Sequence, residues 1–285
     1  MRICPIFCEY IYMEDIQMNT LITLKDITTE LEKGIRNLYD NEAYRSYLET
    51  MSRFHHYSYR NTLLIWLQNP KASYVAGYKA WMTQFNRYVK KGEKGIRIFA
   101  PIKAKQNPDE DEEIISYKAI TVFDVSQTEG SDLPIGFTKQ LLGEIENDDK
   151  YIEALMQISP VPVRFHPLEE TIGGYYAVKE KEIVINSTLS SMQKVKSLIH
   201  EITHALLHTP EDGKAIVDIH TREVEAESVA YTVLKHYGYD TSDYSFGYIA
   251  DWSKSKALDE FKNSINRIVS TSDFIIQKID TILGN

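Results

Sequence analysis

Residues 197–208, SLIHEITHALLH, set histidines at 200, 204 and 208, with a glutamate directly after the first. Met192, Val195, Ile199, Ile202 and Leu206 recur around them at three- and four-residue steps. The segment is therefore expected to be a helix with one buried stripe, capped at Ser187 or Thr188 and running to about His208. On such a helix His200 and His204 fall about 40° and one turn, ~6 Å, apart, on the flank of the stripe. Two imidazoles so placed can chelate one ion. HEITH is thus an HExxH arrangement, in which a tetrahedral Zn²⁺ takes both rings and leaves Glu201 beside a water-filled fourth position. Glu201 is the candidate base for a water whose pKa the metal lowers to about 7. His208 sits two turns, ~12 Å, from His200, too far for both to hold one ion. It is read as a helix-end partner for backbone carbonyls or as a lining group of the cleft.

A third ligand must come from elsewhere, and REVEAESVAYTVL, residues 222–234, offers Glu223, Glu225 and Glu227. If Ala226, Ala230, Val233, Leu234 and Tyr237 set the buried face of this helix, Glu223 and Glu227 project on or near it. Glu225 then points about 120° to 160° away and is read as a solvated side chain. Two carboxylates on an apolar face are costly unless a cation or donor meets them. The preferred assignment makes Glu223 the metal ligand and Glu227 the acceptor for a histidine N–H, with their exchange as the alternative. The strand EIVIN, 182–186, directly upstream, is either a plain structural strand or an edge that takes an extended peptide by strand addition.

The pattern along the chain indicates an α+β protein of two domains. Residues 1–20 are expected to be a leader without folded structure, 21–126 one domain, 127–136 a Ser/Gly/Pro linker and 137–285 the domain carrying the histidine helix. Helical spacing covers Leu24 to about Phe54 in two segments and Tyr59–Leu67 in a third. KKGEKGIRIFAPI and ISYKAITVFDV read as paired strands around an acidic tip, QNPDEDEE. Further helices are expected near 138–157, 221–237 and after Ser253, with a hairpin in GGYYAVKEKEIVIN. No apolar run approaches the ~18 residues of a bilayer span, and the start lacks a secretory signal, so a cytoplasmic protein with no membrane partner is expected. The two cysteines, Cys4 and Cys8, have no partner ligands nearby, which argues against a disulfide framework or zinc knuckle.

The net charge of −9 conceals an asymmetry. Residues 51–105 carry eleven Lys or Arg against the single acid Glu93, so the rest of the chain holds 21 basic and 40 acidic side chains. A basic island in an acidic chain points to a polyanion partner. Its aromatic residues suit single-stranded nucleic acid, which needs cations along the phosphates and ring faces for the bases. Trp66, Phe85 and Phe99 are expected in the core, and Tyr57, Tyr59, Trp81 and Tyr88 are candidates for stacking. Arg60 and Lys79 are candidates for phosphate contacts, as are Arg87, Lys90, Lys91, Lys94 and Arg97 around a glycine-containing turn. Nothing indicates base-specific readout.

HEITH followed by a glutamate in ExxxE resembles the gluzincin metallopeptidases, and HEITHALLH is similar to the ImmA/IrrE group and to the peptidase domain of ArdC-type antirestriction proteins. The latter resemblance extends to YSYRNTLLIWLQNPKASYVAGYKAWMTQFNRYVKKGEKGIRIFAPI (57–102), which looks like the ArdC single-stranded-DNA-binding domain, and to VFDVSQTEG (122–130) and YIADWS (248–253). It implies His200, His204 and Glu223 as zinc ligands, Glu201 as general base, and a mobile-element setting in which such proteins accompany incoming single-stranded DNA. Tyr248 is a candidate oxyanion donor. The tail ALLH and EVEAESVAY look more like shorter Gram-positive relatives, which separates antirestriction activity from the fold. The expected function is a zinc metallopeptidase tethered to a sequence-nonspecific single-stranded-DNA-binding domain and acting on an unidentified protein substrate. The alternatives are a non-catalytic DNA-shielding protein with a structural zinc, and an ImmA-type peptidase that cleaves a regulator.

Overall fold

The computed structural model describes residues 31, 34–104, 113–133, 148–210, 217–239, 241, 252–253 and 256–284. The leader (1–20), the acidic tip at 106–112, the start of the helix expected near 138 and Tyr248 lie outside the described residues. The chain divides into two compact units, one of residues 1–37 and 60–132, the other of residues 38–59 and 133–285. The last of the three breaks falls inside the Ser/Gly/Pro stretch at 127–136. The 38–59 segment joins the C-terminal unit because its helix packs there. Both units mix helix and strand, giving a two-domain α+β chain. No described helix is long and apolar enough to cross a membrane.

In the first unit, α2 (Tyr59–Gln68), β1 (Val75–Gly77), α3 (Tyr78–Phe85), β2 (Arg87–Val89), β3 (Ile96–Ala104), β4 (Glu113–Asp124) and β5 (Thr128–Gly130) follow in order. β3 and β4 pair antiparallel with a bulge at Ile102/Lys103, and β1 adds to the other side of β4. β2 and β5 form a separate antiparallel ladder. The free edge of β3 is met by α2. Asn61 and Gln68, two turns apart, each receive a backbone N–H (Phe99, Arg97; 2.8 Å) and donate to the same residue's carbonyl (2.8 and 2.9 Å). Two carboxamides thus do the work of a neighbouring strand at an edge that would otherwise invite foreign pairing. Buried Asp124 ties the end of the sheet. It accepts from the Ser73, Tyr74 and Ser126 amides at 2.7, 3.0 and 2.9 Å, so its charge is met by donors.

In the second unit, α1 (Asn41–Arg53), capped by Asp40, is followed after the first unit's elements by α4 (Asp148–Ile158), β6 (Val163–His166), β7 (Gly174–Ala177), β8 (Glu182–Asn186), α5 (Ser191–Leu207), α6 (Ile219–His236) and α7 (Leu258–Leu283). β8 is the middle strand, parallel to β6 and antiparallel to β7. Ile183, Val184 and Ile185 are consequently all buried. Asn186 at its end latches the preceding loop, donating to the carbonyls of Glu169 (3.2 Å) and Ile172 (2.9 Å) and accepting from Leu168 and Thr188. α6 packs against α1, α5 and α7, and is buried nearly all round. Tyr44 on α1 bonds Ser228 at 2.9 Å, and Tyr231 on α6 donates to Glu49 at 3.1 Å.

Candidate metal centre and nucleic-acid face

Helix α5 begins later than its sequence suggested. Ser187 and Thr188 are held in the loop by His166 and Asn186, and the cap is Ser190, in a reciprocal box with Gln193. Val195, Leu198, Ile199 and Ile202 bury one face and turn His200 and His204 toward α6. Their Nε2 atoms lie 3.0 Å apart. Glu223, one turn into α6, brings its carboxylate to 3.5 Å from each. One atom from each of the three residues falls within 4.8 Å of the others, a grouping able to hold a metal ion.

Glu227 stands one turn further along α6, 3.4 Å from His200 Nδ1 and 3.3 Å from Lys196 Nζ. Burial pulls the His200 pKa down, but the Glu223 and Glu227 carboxylates outweigh it and hold the ring up at about 9. Burial and the His200 charge lower His204 to about 4. Glu201 is buried, and this raises its carboxyl pKa against the pull of His200. The Tyr176 backbone N–H on β7 is among its partners. Gly173 and Gly174 allow β7 this close. A Cβ on Gly173 would fall 2.7 Å from Ser197 Oγ, and one on Gly174 2.8 Å from the Val184 carbonyl.

Expectations for β8, Glu225 and His208 are also corrected. β8 is not an edge: both its sides are paired, and the edge strand beside Glu201 is β7. Glu225 is not solvated but fully buried, because α6 has α7 on the side that a two-faced helix would give to water. Its carboxylate receives His208 Nε2 at 3.0 Å and Arg267 Nε at 3.1 Å. His208 is the C-cap residue of α5, and its backbone N–H donates to the His204 carbonyl at 2.9 Å, but its ring bonds side chains and lines no cleft. Its Nδ1 lies 2.9 Å from His204 Nδ1, and its side chain is 2% exposed. Sequence reasoning also missed Arg267, for which no local signal existed.

On the basic island, Tyr88 and Tyr78 are 53% and 55% exposed, and Lys79, Lys90, Lys91 and Lys94 are exposed. Trp81 is not available for stacking. It is fully buried against Tyr74 and Phe85, its indole N–H donating to the Phe123 carbonyl at 2.8 Å. Arg87 directs its guanidinium to Thr128 Oγ1 (2.8 Å), the Thr128 carbonyl (3.1 Å) and the Ser131 carbonyl, fastening β2 to β5. Arg97 is half-buried, and Arg60 is exposed. Tyr57 and Tyr59 are half-buried and group with the C-terminal unit, Tyr57 edge-on to Phe54. Trp66 is buried as expected, whereas Phe85 and Phe99 are half-buried. Tyr117 on β4, 49% exposed, is an open ring outside the basic island.

Residues 18–123 match the N-terminal domain of anti-restriction factor ArdC, and residues 156–235 match the IrrE N-terminal-like domain. The uncharacterized protein pXO2-81 of Bacillus anthracis is 28% identical over 312 aligned positions, which take in 94% of this chain and 52% of that protein. The chain thus spans about half the length of this relative. Two crystal structures of the antirestriction ArdC protein from the R388 plasmid share the fold. The Mn(II)-bound one has a TM-score of 0.56 at 17% identity, covering 92% of this chain and 98% of that one. The metal-free one has a TM-score of 0.50 at 20% identity, covering 80% and 86%. The chain thus resembles ArdC in its organisation, a segment similar to the ArdC N-terminal domain followed by one similar to the IrrE N-terminal-like domain.

Proposed function

We propose that this protein is a zinc-dependent metallopeptidase joined to a module that binds single-stranded DNA without sequence preference, acting in the cytoplasm on proteins near transferred DNA. The observation that carries the peptidase half is the convergence of His200, His204 and Glu223 within 4.8 Å beside buried Glu201. Two imidazoles and a carboxylate are a donor set suited to Zn²⁺, and His200, His204 and Glu223 would hold it. Mn²⁺, which the R388 ArdC structure contains, accepts the same donors. Such a cation, when bound, acidifies water and polarises a scissile carbonyl. Glu201 takes the proton of the attacking water and returns it to the leaving amine. Its burial against β7 keeps its carboxyl pKa above that of an open carboxylate, which favours proton return. Glu227 orients His200 through Nδ1. The extended substrate lies along β7, the edge strand, and Tyr248 remains the candidate oxyanion donor.

For the N-terminal unit, the match to the ArdC N-terminal domain implies interaction with DNA. Tyr88 and Tyr78 supply ring faces, and Lys79, Lys90, Lys91 and Lys94 supply charge. The setting is antirestriction-like, as the R388 relative's name indicates for that protein. Metal analysis of the purified chain, combined with an autocleavage assay with and without single-stranded DNA, tests this reading. One bound zinc and chelator-sensitive cleavage are expected. Metal-independent cleavage contradicts the mechanism, and bound zinc without cleavage favours a shielding protein.

A further inference from the structure

The two histidines at the centre are held in different ways. His200 Nδ1 meets a carboxylate directly, Glu227 at 3.4 Å. His204 Nδ1 instead meets another imidazole, His208 Nδ1 at 2.9 Å. Two nitrogens at that distance share one hydrogen. For His204 Nε2 to present a lone pair to a cation, its proton must sit on Nδ1 and point at His208. His208 Nδ1 must then be the acceptor, which places the His208 proton on Nε2. That atom lies 3.0 Å from Glu225 Oε2, an acceptor. Glu225 is fully buried, and a lone carboxylate there would be costly; Arg267 of α7 meets it with Nε at 3.1 Å from both oxygens, and is itself held by Ser264 Oγ at 3.1 Å. Each hydrogen bond in the chain from Arg267 to His204 therefore fixes the direction of the next.

We propose that His208, Glu225 and Arg267 are positioning residues for His204, a relay through which the C-terminal helix sets the affinity of the centre for its cation. The inference rests on the metal reading of His200, His204 and Glu223. It extends the site to α7, which lies beyond the matched 156–235 segment. A purely structural role is a weak explanation, because apolar residues of similar volume usually hold a buried contact at least as well as an ionic network.

The test is the Zn²⁺ dissociation constant of the full chain, measured by competition with a chromophoric chelator, with Co²⁺ absorption reporting coordination geometry. His208→Leu and Arg267→Met are expected to weaken zinc binding about 10- to 100-fold and to alter the cobalt spectrum. In His208→Gln the amide carbonyl can accept from His204 and the NH₂ can donate to Glu225, so affinity should stay within about threefold of the native chain. A packing role would rank Leu at least equal to Gln, the opposite order. Arg267, with a side chain 33% exposed, carries the test if His208→Leu does not fold. Unchanged affinity in His208→Leu or Arg267→Met, while His200→Ala loses the metal, overturns the relay and leaves the metal centre standing. Failure of the native chain to bind zinc, cobalt or manganese overturns both.

Discussion

The candidate metal centre and the basic island are organised on different scales. At the centre, three donors from two helices fall within 4.8 Å, and each partner is itself held by another side chain, out to Arg267 on a third helix. On the island, charges and rings are dispersed over strands and turns, and several that sequence marked as surface groups are occupied in the fold. Trp81 is core, and Arg87 is a clasp between β2 and β5. A site that must hold one ion needs ångström convergence, whereas a surface for a flexible polyanion needs only charge and open rings.

The sharpest break between structural and surface roles is between Trp81 and Tyr88. Trp81→Ala removes a fully buried indole and its bond to Phe123, and should cost about 3–5 kcal/mol in denaturant unfolding of the chain. An unaltered unfolding midpoint would return Trp81 to the surface. Tyr88→Ala should leave unfolding unchanged but weaken oligo-dT binding by about 1–3 kcal/mol, read by fluorescence anisotropy. Equal affinity would take Tyr88 out of the interface.

The C-terminal unit carries a pH sensitivity of its own. His236 donates from Nδ1 to the Ser52 carbonyl at 2.8 Å, and its ring meets His55 edge-on. Burial and the neighbouring His55 lower its pKa from 6.5 to about 4, so the folded chain keeps it neutral where the unfolded chain is protonated. Its contribution to stability is complete above pH 6.5 and is lost as pH falls toward about 4. Melting temperature against pH should decline through that window, and His236→Gln should flatten the decline. A profile identical in the variant would reassign the sensitivity. The smallest effect belongs to single lysines: Lys91→Ala or Lys94→Ala should each reduce the slope of log affinity against log salt by about 0.7 on single-stranded DNA. Salt-insensitive binding by the native chain would remove the phosphate contacts altogether.

These differences account for what the sequence could disclose. The HEITH spacing and the phase of Glu223 and Glu227 were readable because a helix fixes directions locally, and the structure brings those side chains together. Glu225 was misplaced by the same rule. Helical phase gives a direction, but whether that direction holds water or α7 depends on packing thirty or more residues away. The status of β8 as a middle strand was hidden for the same reason, since an apolar strand does not announce how many neighbours it has. Asn61 and Gln68 closing the β3 edge, and Arg267 reaching Glu225, are long-range pairings of ordinary polar residues with no local pattern to mark them.

In the proposed mechanism Glu201 moves protons beside a bound cation. The direct measurement is peptidase or autocleavage rate in Glu201→Gln, with metal content determined on the same preparation. Retained stoichiometric zinc with cleavage reduced about 100-fold or more is the predicted result. Native-rate cleavage by the zinc-loaded variant would contradict it.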